Sequence, residues 1–176
     1  MAKTSKEQKQ KDDIKVLMEL QNDAKANIND IAKYCGFSRQ KVWRIITQME
    51  KDRTIWGYTA IIDNERIGQK QFTLLIKRSS KPLEKKIIDK IDSIQLEDIA
   101  LPHGFTIITS CFIHGTYDWM ISFTAQDINH ARQFCDLLIK GFPDAIEKID
   151  IQQILYSVRK HHVFNPERKT LRELME

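Results

Sequence analysis

Residues 27–51 read NINDIAKYCGFSRQKVWRIITQMEK, and the fold turns on this stretch. Asn27 stands where a helix N-cap belongs, with Asp30 three residues on in a variant of the capping box. Ile28, Ile31 and Ala32 recur at helical spacing and Cys35 closes the helix. Gly36 fits the C′ position, where the left-handed backbone disfavours a side chain. Ser38 is the next N-cap, after a turn of only Gly36 and Phe37. The helix it opens carries Val42, Ile46 and Met49 at i, i+4 and i+7, the spacing of a core face. Arg39, Gln40, Trp43, Arg44 and Thr47 then fall on the other face. Two short helices joined by a tight glycine turn, the second basic on its outer side, describe a helix-turn-helix.

The chemistry of that outer face suits double-stranded DNA. An arginine bonds guanine O6 and N7 in bidentate fashion, and a glutamine does the same with adenine N6 and N7. The N-terminus of a helix favours phosphate. Ser38, Arg39, Gln40, Lys41, Trp43, Arg44 and Thr47 are therefore the candidate DNA contacts. Across residues 38–51 four basic side chains face one acid, Glu50, where a solvated helix usually mixes the signs.

Upstream, residues 1–11 are polar, Lys-rich and without periodicity, which reads as a flexible basic arm whose Lys3, Lys6 and Lys9 suit phosphate. A first helix follows from Asp13, with Ile14, Leu17, Met18 and Leu20 as its stripe, ending near Asn22-Asp23. Residues 12–54 thus form a three-helix DNA-binding domain. Downstream, Ile55 to Ile62 shift to period two around Gly57, an extended linking strand that needs a partner, either the same strand of a second copy or the flank of the helices. A polar linker containing Gly68 runs to residue 70.

From residue 71 the elements alternate. Phe72, Leu74 and Ile76 mark a strand, and Pro82 opens a helix with the stripe Leu83, Ile87, Ile91 and Ile94. Residues 95–104 read as a loop. Thr106–Ile113 and Tyr117–Thr124 are strands around the turn His114-Gly115-Thr116. Asp127 caps a helix carrying Ile128, Ala131, Phe134, Cys135 and Leu138, and Lys148–Val158 is the last strand. The order is βαββαβ, a ferredoxin-like sheet covered by two helices. The fold class is α+β, with 71–160 as the second domain. Phe112, Ile113, Trp119, Met120 and Phe123 place large apolar residues on both faces of the hairpin, which points to self-association through the sheet. Residues 161–176 form a polar extension with a short helical pattern at 166–175.

Charge divides along the chain. The net +4 of the 176 residues lies wholly within residues 1–70, and residues 71–176 balance to zero. A basic segment beside a neutral one suits a polyanion-binding module joined to a different one. Charged residues make up 30% and no stretch approaches the roughly 18 apolar residues of a membrane span, so no membrane role is expected. The first residues carry no apolar run of a secretory signal. Cys35, Cys111 and Cys135 are odd in number and widely spaced, unlike a disulfide framework or a zinc knuckle, and fit a reducing cytoplasm. No metal or cofactor motif occurs.

The arrangement resembles the Lrp/AsnC, or feast/famine, transcription regulators over roughly residues 12–160. Asp13-Ile14 with Leu17, Ile31-Ala32-Lys33, Gly36-Phe37-Ser38, and Val42, Arg44, Ile46 and Met49-Glu50 resemble the family's helix-turn-helix. Ile55, Gly57-Tyr58-Thr59-Ala60, Asp63 and Gly68 resemble its linking strand, and Gly115-x-Tyr117-Asp118 its hairpin motif. The resemblance implies a cytoplasmic prokaryotic regulator that is a homodimer, with tetramers and octamers common. It also implies a small-molecule effector, often an amino acid, near Gly115, Thr116, Tyr117 and Asp118. The 95–104 segment, His114 before the hairpin and the C-terminal extension depart from the family pattern. A rival of another class is a tetrapyrrole enzyme, since proteins of this architecture also resemble sirohaem decarboxylases. His103 and His114 are the residues it would use.

Overall fold

A computed structural model describes residues 2–82, 84–86, 88, 89, 96–167, 172, 173, 175 and 176. The chain divides into two compact units, Met1–Ile61 with Val158–Glu176, and Ile62–Ser157.

The first unit holds three helices, α1 (Ala2–Asn22), α2 (Ile28–Cys35) and α3 (Arg39–Lys51). Helix α1 begins at Ala2, so the stretch expected as a flexible arm is helical instead. Lys, Gln and Glu dominate there and Gly and Pro are absent, which favours continuing a helix already nucleated by packing further along. It shows no amphipathic period because it has no core to face. The buried face of α1 also differs from the expected stripe. Val16 is fully buried with Leu17 and Leu20 packed beside it, while Ile14 and Met18 are about half exposed.

Asn27 and Ser38 cap α2 and α3 as their side-chain oxygens accept from the Asp30 and Lys41 amides at 3.0 and 3.2 Å. Caps of this kind stabilise a helix by about 1 kcal/mol each. Gly36 sits at φ +68, its amide donating to the Lys33 carbonyl and that of Phe37 to the Ala32 carbonyl. These two bonds form a Schellman turn, which needs a left-handed residue. The unit's core is Val16, Ile31, Ala32, Cys35, Val42, Ile45 and Met49. Ile45 takes the buried position expected of Ile46, which is only partly buried. Both positions border one helical stripe, and the crossing of α1 and α2 selects between them.

Residues 55–62 form no strand within this chain. A strand requires a neighbour running alongside it, and here the Ile55 amide goes to the Met49 carbonyl of α3 at 3.1 Å. The Tyr58 hydroxyl instead donates to the Glu50 carboxylate at 3.0 Å, tying the segment to the end of α3. The C-terminal extension contributes a small antiparallel pair, β5 (Arg159–Lys160) with β6 (Val163–Phe164). The helix expected at 166–175 lies largely outside the described residues.

The second unit is an antiparallel sheet of β1 (Lys70–Arg78), β2 (Thr106–Phe112), β3 (Trp119–Ala125) and β4 (Ile146–Ile154), in the spatial order β2-β3-β1-β4. Residues 85, 86, 88 and 89 are helical, and the expected stripe Leu83, Ile87, Ile91 and Ile94 falls outside the described residues. The 95–104 segment is not a plain loop. It forms α4 (Leu96–Ala100) and a 3-10 turn (Leu101–His103), because Leu96 and Ala100 are buried against the core. Helix α5 (Ile128–Gly141) starts at the Asp127 cap and buries Ala131, Phe134 and Leu138.

The core lies between the sheet and its helices. Phe72, Leu74 and Ile76 alternate inward along β1, meeting Ile121 and Phe123 of β3. Phe105, Phe123 and Phe134 pack with ring centroids 4.8–6.0 Å apart. Each buried phenyl ring contributes roughly 2–3 kcal/mol. The other face of the sheet is mostly polar, contrary to the expected excess of large apolar residues. There Gln71 donates to the Ser122 hydroxyl at 3.0 Å, and Tyr117 and Asp150 meet. Phe123 faces the core, and Phe112 and Trp119 stack on one another. Strand alternation sends every second side chain inward, so local runs of large residues overstate the outer face.

Candidate nucleic-acid interface and effector region

With Val42, Ile45 and Met49 inward, α3 presents Arg39, Gln40, Trp43, Arg44 and Thr47 to solvent as one continuous face. Trp43 is 58% exposed, so it does not rest on a neighbouring segment. Lys51, four residues beyond Thr47, continues the same face. The helical spacing from Thr47 could have found it, and sequence reasoning missed it.

Two of the candidate contacts carry structural duties. The Ser38 hydroxyl is engaged in capping, leaving that residue at the helix N-terminus rather than as a free side chain. Lys41 bonds Asp12 of α1 at 2.6 Å and lies 3.8 Å from the centre of the Phe37 ring. The Lys41 bond, then that of Gln8, hold the Asp12 carboxyl below the usual carboxylate range. Lys15 stands 5.6 Å from the centre of the same ring and donates to the Cys35 carbonyl at 3.1 Å. The turn between α2 and α3 is thus clamped by two ammonium groups. Arg39, Gln40, Trp43, Arg44 and Thr47 remain available for recognition.

The four hairpin residues do not converge on one point. Gly115 and Thr116 form the exposed tip, with Gly115 at φ +155. Tyr117 turns to the polar sheet face, where its hydroxyl donates to Asp150, itself paired with Lys148 at 2.9 Å. The bond to Asp150 pushes the Tyr117 phenol up, and the same bond, helped by Lys148, holds the Asp150 carboxyl down. Asp118 turns the other way. It accepts from the Arg78 amide at 2.9 Å and stands 3.7 Å from the Arg78 guanidinium nitrogen.

Asp118 also borders a cavity of about 630 Å3, within the usual size range for a small-molecule site. Ile76, Phe112, Trp119 and Phe142 supply apolar walls, and Arg78, Lys81 and Asp118 supply charge of both signs. A pocket of this composition can hold a zwitterion with an apolar side chain.

The two histidines of the enzymatic alternative serve structural contacts or lie exposed. His103 gives its carbonyl to the His130 ring at 2.8 Å, and His114 lies exposed on the hairpin. Among the described residues no group of three or more His, Cys, Asp or Glu is placed to hold a metal ion. Burial pushes the thiols of Cys35 and Cys135 up, away from reactivity.

Residues 13–55 match the model of a winged helix-turn-helix DNA-binding family. The chain is 26% identical over 117 residues to the Bkd operon transcriptional regulator of Pseudomonas aeruginosa, covering 66% of this chain and 71% of that one. Its fold is shared with an AsnC family transcriptional regulator from Agrobacterium tumefaciens, at a TM-score of 0.63 and 21% identity over 88% of this chain and 95% of that one. The chain is thus similar to transcriptional regulators in sequence and to an AsnC family regulator in fold. It also shares its fold with the feast or famine regulatory protein of M. tuberculosis, solved with L-methionine, at a TM-score of 0.64 and 16% identity over 87% and 98% of the two chains. The helix-turn-helix match and the curated relatives support a DNA-binding transcriptional regulator rather than an enzyme. Among the described residues, no helix is long and apolar enough to cross a membrane.

Tyr117 carries a checkable electrostatic consequence. In Tyr117→Phe the Asp150 carboxyl loses its strongest bond, so its titration moves up toward the ordinary aspartate range. Carboxyl-carbon NMR titration measures this, and an unmoved Asp150 would show that Lys148 alone sets it. The sign for stability follows: a depressed carboxyl stabilises the fold above the unfolded-state pKa and ceases to as pH falls through the folded value.

Proposed function

We propose that this regulator reads DNA by laying α3 in the major groove, with Arg39, Gln40, Arg44 and Thr47 toward the base edges. The observation that carries this is the orientation of α3, whose buried Val42, Ile45 and Met49 leave an exposed face with cations and an amide. Lys41, tied to Asp12, positions the helix, and Trp43 flanks the reading face.

Residues 12–54 are the DNA-binding domain in this proposal, 55–70 the link and 71–160 the oligomerisation and effector-sensing domain. The link supports dimer formation: Trp56 is 95% exposed, with Tyr58, Ile61 and Ile62 also open, on a backbone that a second copy can pair. A two-fold dimer presents two α3 helices to a pseudo-palindromic promoter site. Tetramers and octamers are further assemblies of such dimers. The protein works in the cytoplasm, where it meets DNA.

The effector, an amino acid, binds beside Asp118 in the cavity of the second unit. The carboxylate suits an ammonium group, and Arg78 and Lys81 suit a carboxylate. Gly115 and Thr116 frame the hairpin, and Tyr117 braces it against β4. The L-methionine held by the M. tuberculosis relative supports this ligand class.

Three outcomes are expected. Arg44→Ala weakens binding to a site selected from random DNA by about 1–3 kcal/mol and relaxes preference at one base position. Unchanged affinity and preference in both Arg44→Ala and Gln40→Ala, with circular dichroism intact, would show that α3 is not the reader. Asp118→Asn, which keeps an acceptor for the Arg78 amide, abolishes the effect of L-methionine on DNA binding and leaves unliganded affinity unchanged; a preserved response removes Asp118 from the site. Fragment 55–160 sediments as a dimer at micromolar concentration, and a monomer there would disprove assembly through the link and sheet.

A further inference from the structure

Helix α1 extends well past the core it serves. Its packed residues are Val16, Leu17 and Leu20, whereas residues 5–11 are all exposed. The ten residues from 2 to 11 make an extension of about 15 Å at 1.5 Å per residue. Such a segment has no burial to hold it in place, and its charge is one-sided. Lys3, Lys6, Lys9 and Lys11 stand against Glu7 alone. None of Lys6, Lys9 and Lys11 is held in an ion pair with a described residue. Lys6 and Lys9, three residues apart, are neighbours on the helix surface.

The extension leads into a contact with α3. Asp12 bonds Lys41 in the first turn of α3 at 2.6 Å. The basic part of α1 therefore approaches α3 at its first turn, on the flank that carries Lys41.

That flank has a defined place on DNA. The major groove is about 12 Å wide, and a helix with its side chains is about 10–12 Å across, so α3 fills the groove. Whatever lies along the flank of a groove-filling helix stands over one of the phosphate ridges. We propose that the N-terminal half of α1 is a second DNA-binding surface, with the Lys6 and Lys9 ammonium groups bonding backbone phosphates beside the groove that α3 occupies. This rests on the reading of α3 as the groove helix. The extension carries no sequence information of its own. It adds affinity evenly across sequences and strengthens the salt dependence.

The test uses the full-length chain with a random-sequence 40-bp duplex, and separately with a site selected from random DNA. In the double variant Lys6→Gln, Lys9→Gln, the slope of log affinity against log salt becomes shallower by about 0.9 for each phosphate that is no longer neutralised, or roughly two in all. Preference for the selected site over the random duplex stays as in the parent. The double variant Lys6→Arg, Lys9→Arg restores the slope, because charge rather than shape holds the phosphates. A slope unchanged by the glutamine variant, with the parent binding DNA normally, overturns the proposal and leaves α3 as the reader. Loss of discrimination between the two duplexes in the glutamine variant also overturns it, since a backbone grip cannot select sequence. Failure of the parent chain to bind either duplex would refute the groove reading itself.

Discussion

The left-handed turn at Gly36 is the constraint on which the DNA-binding unit depends. It ends α2 and lets Ser38 start α3 two residues later, so the angle between the helices is set before any side chain packs. The Schellman bonds fix the backbone, and the caps at Asn27 and Ser38 fix where each helix begins. Phe37, with the Lys15 and Lys41 ammonium groups near its ring, gives the turn its only sizeable side chain. Once that angle is set, Val42, Ile45 and Met49 meet Val16, Ile31 and Ala32, and the outer face of α3 has no freedom left to choose. The chemistry of recognition follows from a two-residue turn.

The second unit solves a different problem. Its hairpin between β2 and β3 sends adjacent residues to opposite sides of the sheet. Tyr117 joins Asp150 and Lys148 on the polar face, and Asp118 reaches back to the Arg78 amide at the mouth of the cavity. A change at the cavity can therefore act on the hairpin through Asp118 and on the polar sheet face through Tyr117. Adjacent residues of one hairpin thus serve the two faces of one sheet.

Much of this was legible in the residues. The caps, Gly36, the α5 stripe and the βαββαβ order all rest on local rules of spacing, and those rules operate within a few residues of chain. The errors share a cause as well. The basic extension of α1 lacks periodicity, so it read as an arm; a polar helix prolonged from a packed one needs none. The 95–104 segment read as a loop because Leu96 and Ala100 are too few to make a pattern, although burial makes them helical.

The sequence by itself determined the elements that local geometry enforces: where a helix is capped and where glycine permits a left-handed turn. It also determined that the positive charge gathers in the first seventy residues. Only the tertiary structure decided that Ile45 rather than Ile46 is buried, that Lys41 is spent on Asp12, and that Tyr117 and Asp118 diverge. These choices depend on residues far apart in the chain meeting in space, Asp12 with Lys41 across 29 positions and Tyr117 with Asp150 across 33. Spacing along a chain encodes a periodic face, but the partner that arrives on that face is set by packing.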